Sequence, residues 1–214
     1  MGATHSKPMP GRGLYLLTPD DADDARLLAR VAEVLPHCAL LQHRNKLADD
    51  YARERQSRLL LALCRQHGVP MIVNDDPALA ARIGAEGVHL GEHDGAIEAA
   101  RELLGDAAII GISCYDDPGR ARDAVARGAD YVAFGALFPS ATKPLARRAT
   151  PQLLQQARTL GVPVVAIGGI TPDNAREAVA AGADLIAVIT GVFDAPDPNA
   201  AARACAAAFH DGSR

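Results

Sequence analysis

The chain has 214 residues, 49% of them hydrophobic and 22% charged, with a formal net charge of -4. That is enough for one large domain or two small ones around a sizeable core, and the acidic balance disfavours a nucleic-acid-binding surface. Trp is absent and aromatics reach only 4%, which disfavours base-stacking platforms and glycan-binding aromatic strips, so any cationic cluster must be a local site.

Residues 1–12, MGATHSKPMPGR, are polar and turn-rich, lack the apolar stretch of a signal peptide, and are expected to be disordered. Short apolar, β-prone runs then alternate with Ala/Leu/Arg-rich amphipathic stretches. The runs are GLYLLT (13–18), CALLQ (38–42), PMIVN (70–74), GVHL (87–90), AIIGIS (108–113), DYVAFG (130–135), VPVVAIG (162–168) and DLIAVIT (184–190). They are nearly continuously apolar, as parallel strands covered on both faces should be. Eight such units without a composition break predict one α/β domain over residues 13–210, a closed (β/α)8 barrel of the TIM type. A doubly wound open sheet is the alternative.

Helix boundaries are also legible. GAEGVHLG (84–91), GADYVAFG (128–135) and GADLIAVITG (182–191) each set a helix-terminating Gly just before a strand. Asp76-Pro77, Asp117-Pro118, Thr150-Pro151 and Thr171-Pro172 each pair an N-cap residue with proline at the first helical position. These pairs mark the strand-to-helix loops, the face where barrels keep their chemistry. No apolar run approaches the ~20 residues needed to span a bilayer. Cys38, Cys64, Cys114 and Cys205 have no CxxC spacing, which suits free thiols in the cytoplasm.

After the second strand come Gln42, Arg44 and Lys46, which in extended chain share one face, with His43 directed away from it. The third strand leads to Asn74 and Asp75, the fourth to Gly91, Glu92 and Asp94, and the fifth to Ser113. A longer loop after the sixth holds Ser140, Thr142 and Lys143; the seventh ends at Gly168 and Gly169, the eighth at Thr190. Each has a plainer reading. Asp75 could share N-capping with Asp76, Asp94 could cap the next helix, and Ser113 could satisfy a strand end. His89 could belong to the barrel wall, and Arg147 and Arg148 to a solvated loop.

Together, cations and two carboxylates at one barrel mouth suggest Mg2+ shared with an anionic substrate, since magnesium takes one or two carboxylates plus phosphate oxygens. The cations would hold the remaining phosphate charge. The paired glycines before TPDNAREA suggest a second phosphate site without metal. No Ser/His/Asp arrangement is visible, which suits a reaction driven by departure of a diphosphate.

LYLLTPD, QHRNK, VNDDPALA, GAEGVHLGEHD, IIGISCYDD, GADYVAFGALFPSATKP, AIGGITPDNA and GADLIAVITGVF occur in that order. In this combination the chain resembles the thiamine phosphate synthase family from about residue 12 to 195. The resemblance implies joining of 4-amino-2-methyl-5-(diphosphooxymethyl)pyrimidine to a thiazole phosphate with release of pyrophosphate. It places the stretch Gln42, His43, Arg44, Asn45 and Lys46, with Asn74, Ser113 and Lys143, on the pyrimidine diphosphate. Of these, Arg44, Lys46, Ser113 and Lys143 would be catalytic. It puts Mg2+ on Asp75 and Asp94, and the thiazole phosphate on Ser140, Ala141, Thr142, Gly169, Ile189 and Thr190. The implied chemistry is dissociative, with pyrophosphate leaving first. Its partners would be small molecules, with no nucleic acid and no membrane, and it is compatible with a homo-oligomer. Asp76 stands where many members carry Arg, which puts in doubt one Arg contact near the metal; Ser140 replaces a common Thr but keeps the hydroxyl.

Three other readings compete. A thiazole tautomerase would have no use for Gln42, Arg44, Lys46, Asp75, Asp94 and Lys143. A Schiff-base aldolase or isomerase would need its lysine desolvated on a strand, whereas Lys143 falls in a polar loop. A non-catalytic sensor of phosphorylated ligands would turn nothing over.

Overall fold

The computed structural model describes residues 9–139 and 147–210. The strands are β1 (Gly13–Leu17), β2 (Cys38–His43), β3 (Met71–Asn74), β4 (Gly87–Leu90), β5 (Ile109–Tyr115), β6 (Tyr131–Gly135), β7 (Val164–Ile167) and β8 (Leu185–Val188). Each is parallel to its neighbour, and β1 pairs with β8 from Gly13↔Leu185 to Leu16↔Val188, so the barrel is closed. That pairing removes the open-sheet alternative.

Helices α1 (Asp24–Val34), α2 (Asp50–His67), α3 (Pro77–Ile83), α4 (Ile97–Leu104), α5 (Pro118–Ala126) and α6 (Pro151–Ala157) follow the first six strands. After β7 comes α7 (Ala175–Ala180), and after β8 come α8 (Thr190–Phe193) and α9 (Pro198–Ala207). None among the described residues is long and apolar enough to cross a membrane. The predicted caps Asp76, Asp117 and Thr150 each accept a backbone N–H in the first turn behind their proline. Gly84, Gly128 and Gly182 take φ of 69°, 94° and 107°, the left-handed conformation expected of the repeat.

One boundary differs. Thr171-Pro172 does not start a helix; α7 begins three residues later, behind Asn174. The Asn174 amide donates to Gly169 O at 2.9 Å and accepts from Thr171 N at 2.8 Å, which holds residues 171–174 as a turn.

Strand periodicity sorts the core into two layers. Tyr15, Leu17, Leu40, Ile72, Ile109, Tyr131, Val165 and Leu185 fill the barrel, while Leu14, Leu16, Leu41, Met71, Val73, Val88 and Ile110 meet the helices. Both faces are apolar because both are covered. Leu41 is 0% exposed, and its truncation to Ala would cost about 2–5 kcal/mol. The interior periodicity continues upward from Leu40 to Gln42, Ile72 to Asn74 and Ile109 to Ser113, and so carries polar side chains to the mouth.

Candidate active site

The loop after β2 is built from its own backbone outward. Thr18 Oγ1 donates to Arg44 O and accepts from Arg44 N, both at 2.9 Å. The Arg44 guanidinium lies 3.2 Å from the Asp20 carboxylate, and Asp20 accepts from Lys46 N at 2.7 Å. Asp20 therefore orients the Arg44 guanidinium and holds the Lys46 backbone. The sequence reading assigned nothing to the loop after the first strand, although its TPD carried the signal.

His43 and Asn45 are placed away from the mouth. His43 is buried, with Nδ1 2.7 Å from Ser57 Oγ on α2, and burial pushes its pKa down to about 4. Asn45 Nδ2 donates to Asp21 O at 2.7 Å and Gln56 Oε1 at 3.0 Å, while its Oδ1 accepts from Leu47 N and Ala48 N. Both side chains hold the scaffold. The side chains of Gln42, Arg44 and Lys46 alternate with these two, as in an extended chain.

Asp75 sits just past β3 at φ 62°, with its N–H donated to His89 O at 2.8 Å, and it leaves capping to Asp76. Its carboxyl pKa is raised by burial first and then by the hydrogen-bonded Asp94 carboxyl, against the pull of Lys46. Lys46 Nζ is 3.4 Å from Asp75 Oδ2. Asp94 is not a helix cap: Ala96 holds that position without a side-chain bond, and Asp94 Oδ2 accepts from Gly91 N at 2.8 Å. Gly95 and Ala96 separate Asp94 from the helix start, freeing its carboxyl for the mouth.

Ser113 Oγ lies 2.8 Å from His89 Nε2, inside the barrel rather than on a strand-end backbone group. Asn74 ends β3 half-buried. Arg147 is an exposed loop cation, as in its plainer reading, and it stacks on Tyr115 at 5.1 Å and pairs with Glu92 at 3.8 Å.

The ends of β7 and β8 lie side by side in the barrel. Gly168 and Gly169 have φ of 99° and 66°. A Cβ on Gly169 would stand 2.3 Å from Pro139 O, so only glycine lets this turn press against the loop leaving β6. Ile189 precedes α8, and the exposed Thr190 opens it; the Thr190 hydroxyl has no partner among the described residues. Ser140, Ala141, Thr142 and Lys143 lie outside the described residues.

Among the described residues no group of three or more His, Cys, Asp and Glu could hold a metal ion.

A closed (β/α)8 barrel with paired carboxylates and fixed cations at its C-terminal mouth is an enzyme of small-molecule substrates. Residues 14–192 match the family model described as thiamine monophosphate synthase. The chain is 60% identical over 198 residues to a thiamine-phosphate synthase of Xanthomonas campestris, covering 92% of this chain and 96% of that one. It is 59% identical over 200 residues to a thiamine-phosphate synthase of an Azoarcus species, covering 92% and 97%. A solved thiamine phosphate pyrophosphorylase from Pyrococcus furiosus superposes with a TM-score of 0.81 at 34% identity, covering 93% of this chain and 96% of that one. The chain belongs to the thiamine monophosphate synthase family, and it is a transferase of thiamine biosynthesis. The tautomerase alternative gains no support from these relatives.

Proposed function

We propose that the chain joins 4-amino-2-methyl-5-(diphosphooxymethyl)pyrimidine to thiazole phosphate, releasing pyrophosphate, with the residues of the barrel mouth divided between the two substrates. One observation carries the division: Lys46 and Asp75 meet at 3.4 Å, so cations and carboxylates converge on one point. Gln42, Arg44, Lys46, Asn74, Ser113 and Lys143 take the pyrimidine diphosphate. Ser140, Ala141, Thr142, Gly169, Ile189 and Thr190 take the thiazole phosphate.

The Asp75–Asp94 pair fits magnesium. Two hard carboxyls face each other in a half-buried spot where burial and the Asp94 carboxyl raise the Asp75 pKa, and a divalent cation would relieve that cost. When bound there, Mg2+ supplies positive charge to the diphosphate. Arg44 and Lys46, held by Asp20 and Asp75, gain attraction for pyrophosphate as negative charge builds on it during bond cleavage. Loss of pyrophosphate leaves a methylene cation delocalised into the aminopyrimidine ring, which the thiazole nitrogen captures, so no strong base is required. The four cysteines are free, in keeping with the reducing cytoplasm in which we place the reaction.

The test is turnover of both purified heterocycles with and without magnesium. Thiamine phosphate and pyrophosphate in equal amounts, with loss of both in chelator, support the reading. Isomerisation of the thiazole without pyrophosphate would replace it with the tautomerase reading.

A further inference from the structure

Five side chains from five strands form one hydrogen-bonded line through the barrel interior. Gln42 Nε2 on β2 donates to the Tyr15 hydroxyl on β1. The Tyr15 hydroxyl is 2.9 Å from that of Tyr131 on β6, which is 2.7 Å from His89 Nδ1 on β4. His89 Nε2 then reaches Ser113 Oγ on β5 at 2.8 Å. Gln42, Tyr15 and Tyr131 are at most 1% exposed, and Gln42 Oε1 has no partner among the described residues.

The line exists because Gly111 has no side chain. A Cβ there would stand 1.9 Å from Tyr131 Cζ, so the glycine makes room for the ring to carry its hydroxyl to the barrel axis. The rings also pack: Tyr131 stacks on His89 at 5.6 Å and meets Tyr15 edge-on at 6.0 Å.

Such a line has a direction. Each hydroxyl donates once along it, and a neutral imidazole has one N–H and one lone pair. If Gln42 donates to Tyr15, Tyr15 must donate to Tyr131, and Tyr131 to His89 Nδ1. His89 Nε2–H then donates to Ser113, and the Ser113 proton is left for the site. The opposite direction would turn both ends round together, since each link fixes the next. Each His89 ring nitrogen faces a hydroxyl, so the neutral ring can hold either direction but not both.

We infer that Tyr15, Tyr131 and His89 are positioning residues that couple Gln42 to Ser113, so that one end of the line offers the substrate an acceptor while the other offers a donor. The free Gln42 carbonyl takes a ligand N–H, and the Ser113 hydroxyl gives its proton to a ligand acceptor. This rests on the reading that Gln42 and Ser113 contact the pyrimidine diphosphate.

The test is a double-mutant cycle on steady-state turnover. Tyr131→Phe keeps the ring and its packing but cuts the line. Alone it should lower kcat/KM for the pyrimidine diphosphate about tenfold, with the KM for thiazole phosphate unmoved. In a Ser113→Ala background the same change should cost about twofold or less, because its route of action is gone. His89→Gln, whose amide both accepts and donates, should retain more activity than His89→Leu. An equal Tyr131→Phe loss in both backgrounds would overturn the coupling while leaving the site assignment intact. Wild-type kinetics in both Gln42→Ala and Ser113→Ala would overturn the assignment, and the coupling with it. Should Tyr131→Phe fail to fold, Tyr15→Phe cuts the same line one link earlier and is read against Ser113→Ala in the same way.

Discussion

Lys46 Nζ stands 3.4 Å from the Asp75 carboxylate, so a cation from the loop after β2 is matched to a carboxyl from the end of β3. Asp94, from beyond β4, adds a second carboxyl, and burial together with Asp94 outweighs Lys46 in setting the Asp75 charge. The mouth thus holds an acidic pocket suited to a cation beside basic groups suited to phosphate.

Asp75→Asn tests the cost of that pocket. The Asp75 carboxyl binds its proton more tightly in the folded chain than in the unfolded one, so its ionisation destabilises the fold once pH passes above the ordinary carboxylate range. Asparagine removes the charge and tolerates the left-handed backbone at φ 62°. At pH 7.5 the variant should melt higher than wild type while turnover falls at least about tenfold, some 1.4 kcal/mol. Thermal unfolding and pyrophosphate release measure the two. A lower melting temperature with intact turnover would refute the account.

Asn45→Ala separates scaffold from ligand contact. The Asn45 amide joins Asp21, Gln56, Leu47 and Ala48 inside the loop base, and losing it leaves buried groups unpaired. A loss of about 2–3 kcal/mol is expected, which is roughly 4–12 °C in melting temperature for a chain of this size. Chemical denaturation decides it. An unchanged midpoint with a raised KM for the diphosphate would make Asn45 a substrate contact.

Thr190→Val addresses the second anion site. The substitution keeps the shape and removes a hydroxyl that has no partner among the described residues. The KM for thiazole phosphate should rise about tenfold, as for loss of one hydrogen bond to a charged group, with little change for the diphosphate. Equal shifts for both substrates would contradict a two-site mouth.

The barrel was legible because parallel strands covered on both sides advertise themselves as apolar runs, and because the glycines at 84, 128 and 182 stop helices by a local rule. Site residues on the interior periodicity, such as Gln42 and Ser113, could be read from alternation alone. Asp94 was ambiguous for a physical reason: an Asp before a helical pattern is as good a cap as a ligand, and only the turn at residues 94–96 decides. Asp20, Tyr15 and Tyr131 gave weaker signals, since their partners lie 26, 116 and 42 positions away in sequence. Long-range pairing across a closed barrel leaves no local pattern.

Acid should destabilise the fold through buried imidazoles. His43 and His89 are each pushed down to about 4 by burial, against about 6.5 in an unfolded chain. Between those values the unfolded chain binds more protons, so stability is full above about pH 6.5 and falls toward pH 4. Two such groups give a slope approaching ~2–3 kcal/mol per pH unit near pH 5. Urea titrations from pH 4.5 to 7.5 should show it, and His43→Gln should remove about half. An unaltered slope in that variant would show that His43 is already neutral in both states or charged in both.

Lys143 lies outside the described residues, but both anchors of its loop sit at the mouth: Phe138 N donates to Gly168 O at 3.0 Å, and Ala136 N donates to Arg147 O at 2.7 Å. Arg44 and Lys46 already carry local carboxylate partners in Asp20 and Asp75. A further cation would therefore add most where the leaving pyrophosphate gains charge, and its attraction would peak near the transition state. Losing such a contact is worth about 2–3 kcal/mol, roughly 30- to 150-fold in rate. Lys143→Ala should thus slow pyrophosphate departure by that factor while weakening ground-state binding of the diphosphate far less, with the melting temperature nearly unchanged. Single-turnover kinetics on saturated enzyme, paired with calorimetric binding, separate the two effects. A wild-type chemical step with affinity alone reduced would make Lys143 a tether and leave the departing charge to Arg44 and Lys46.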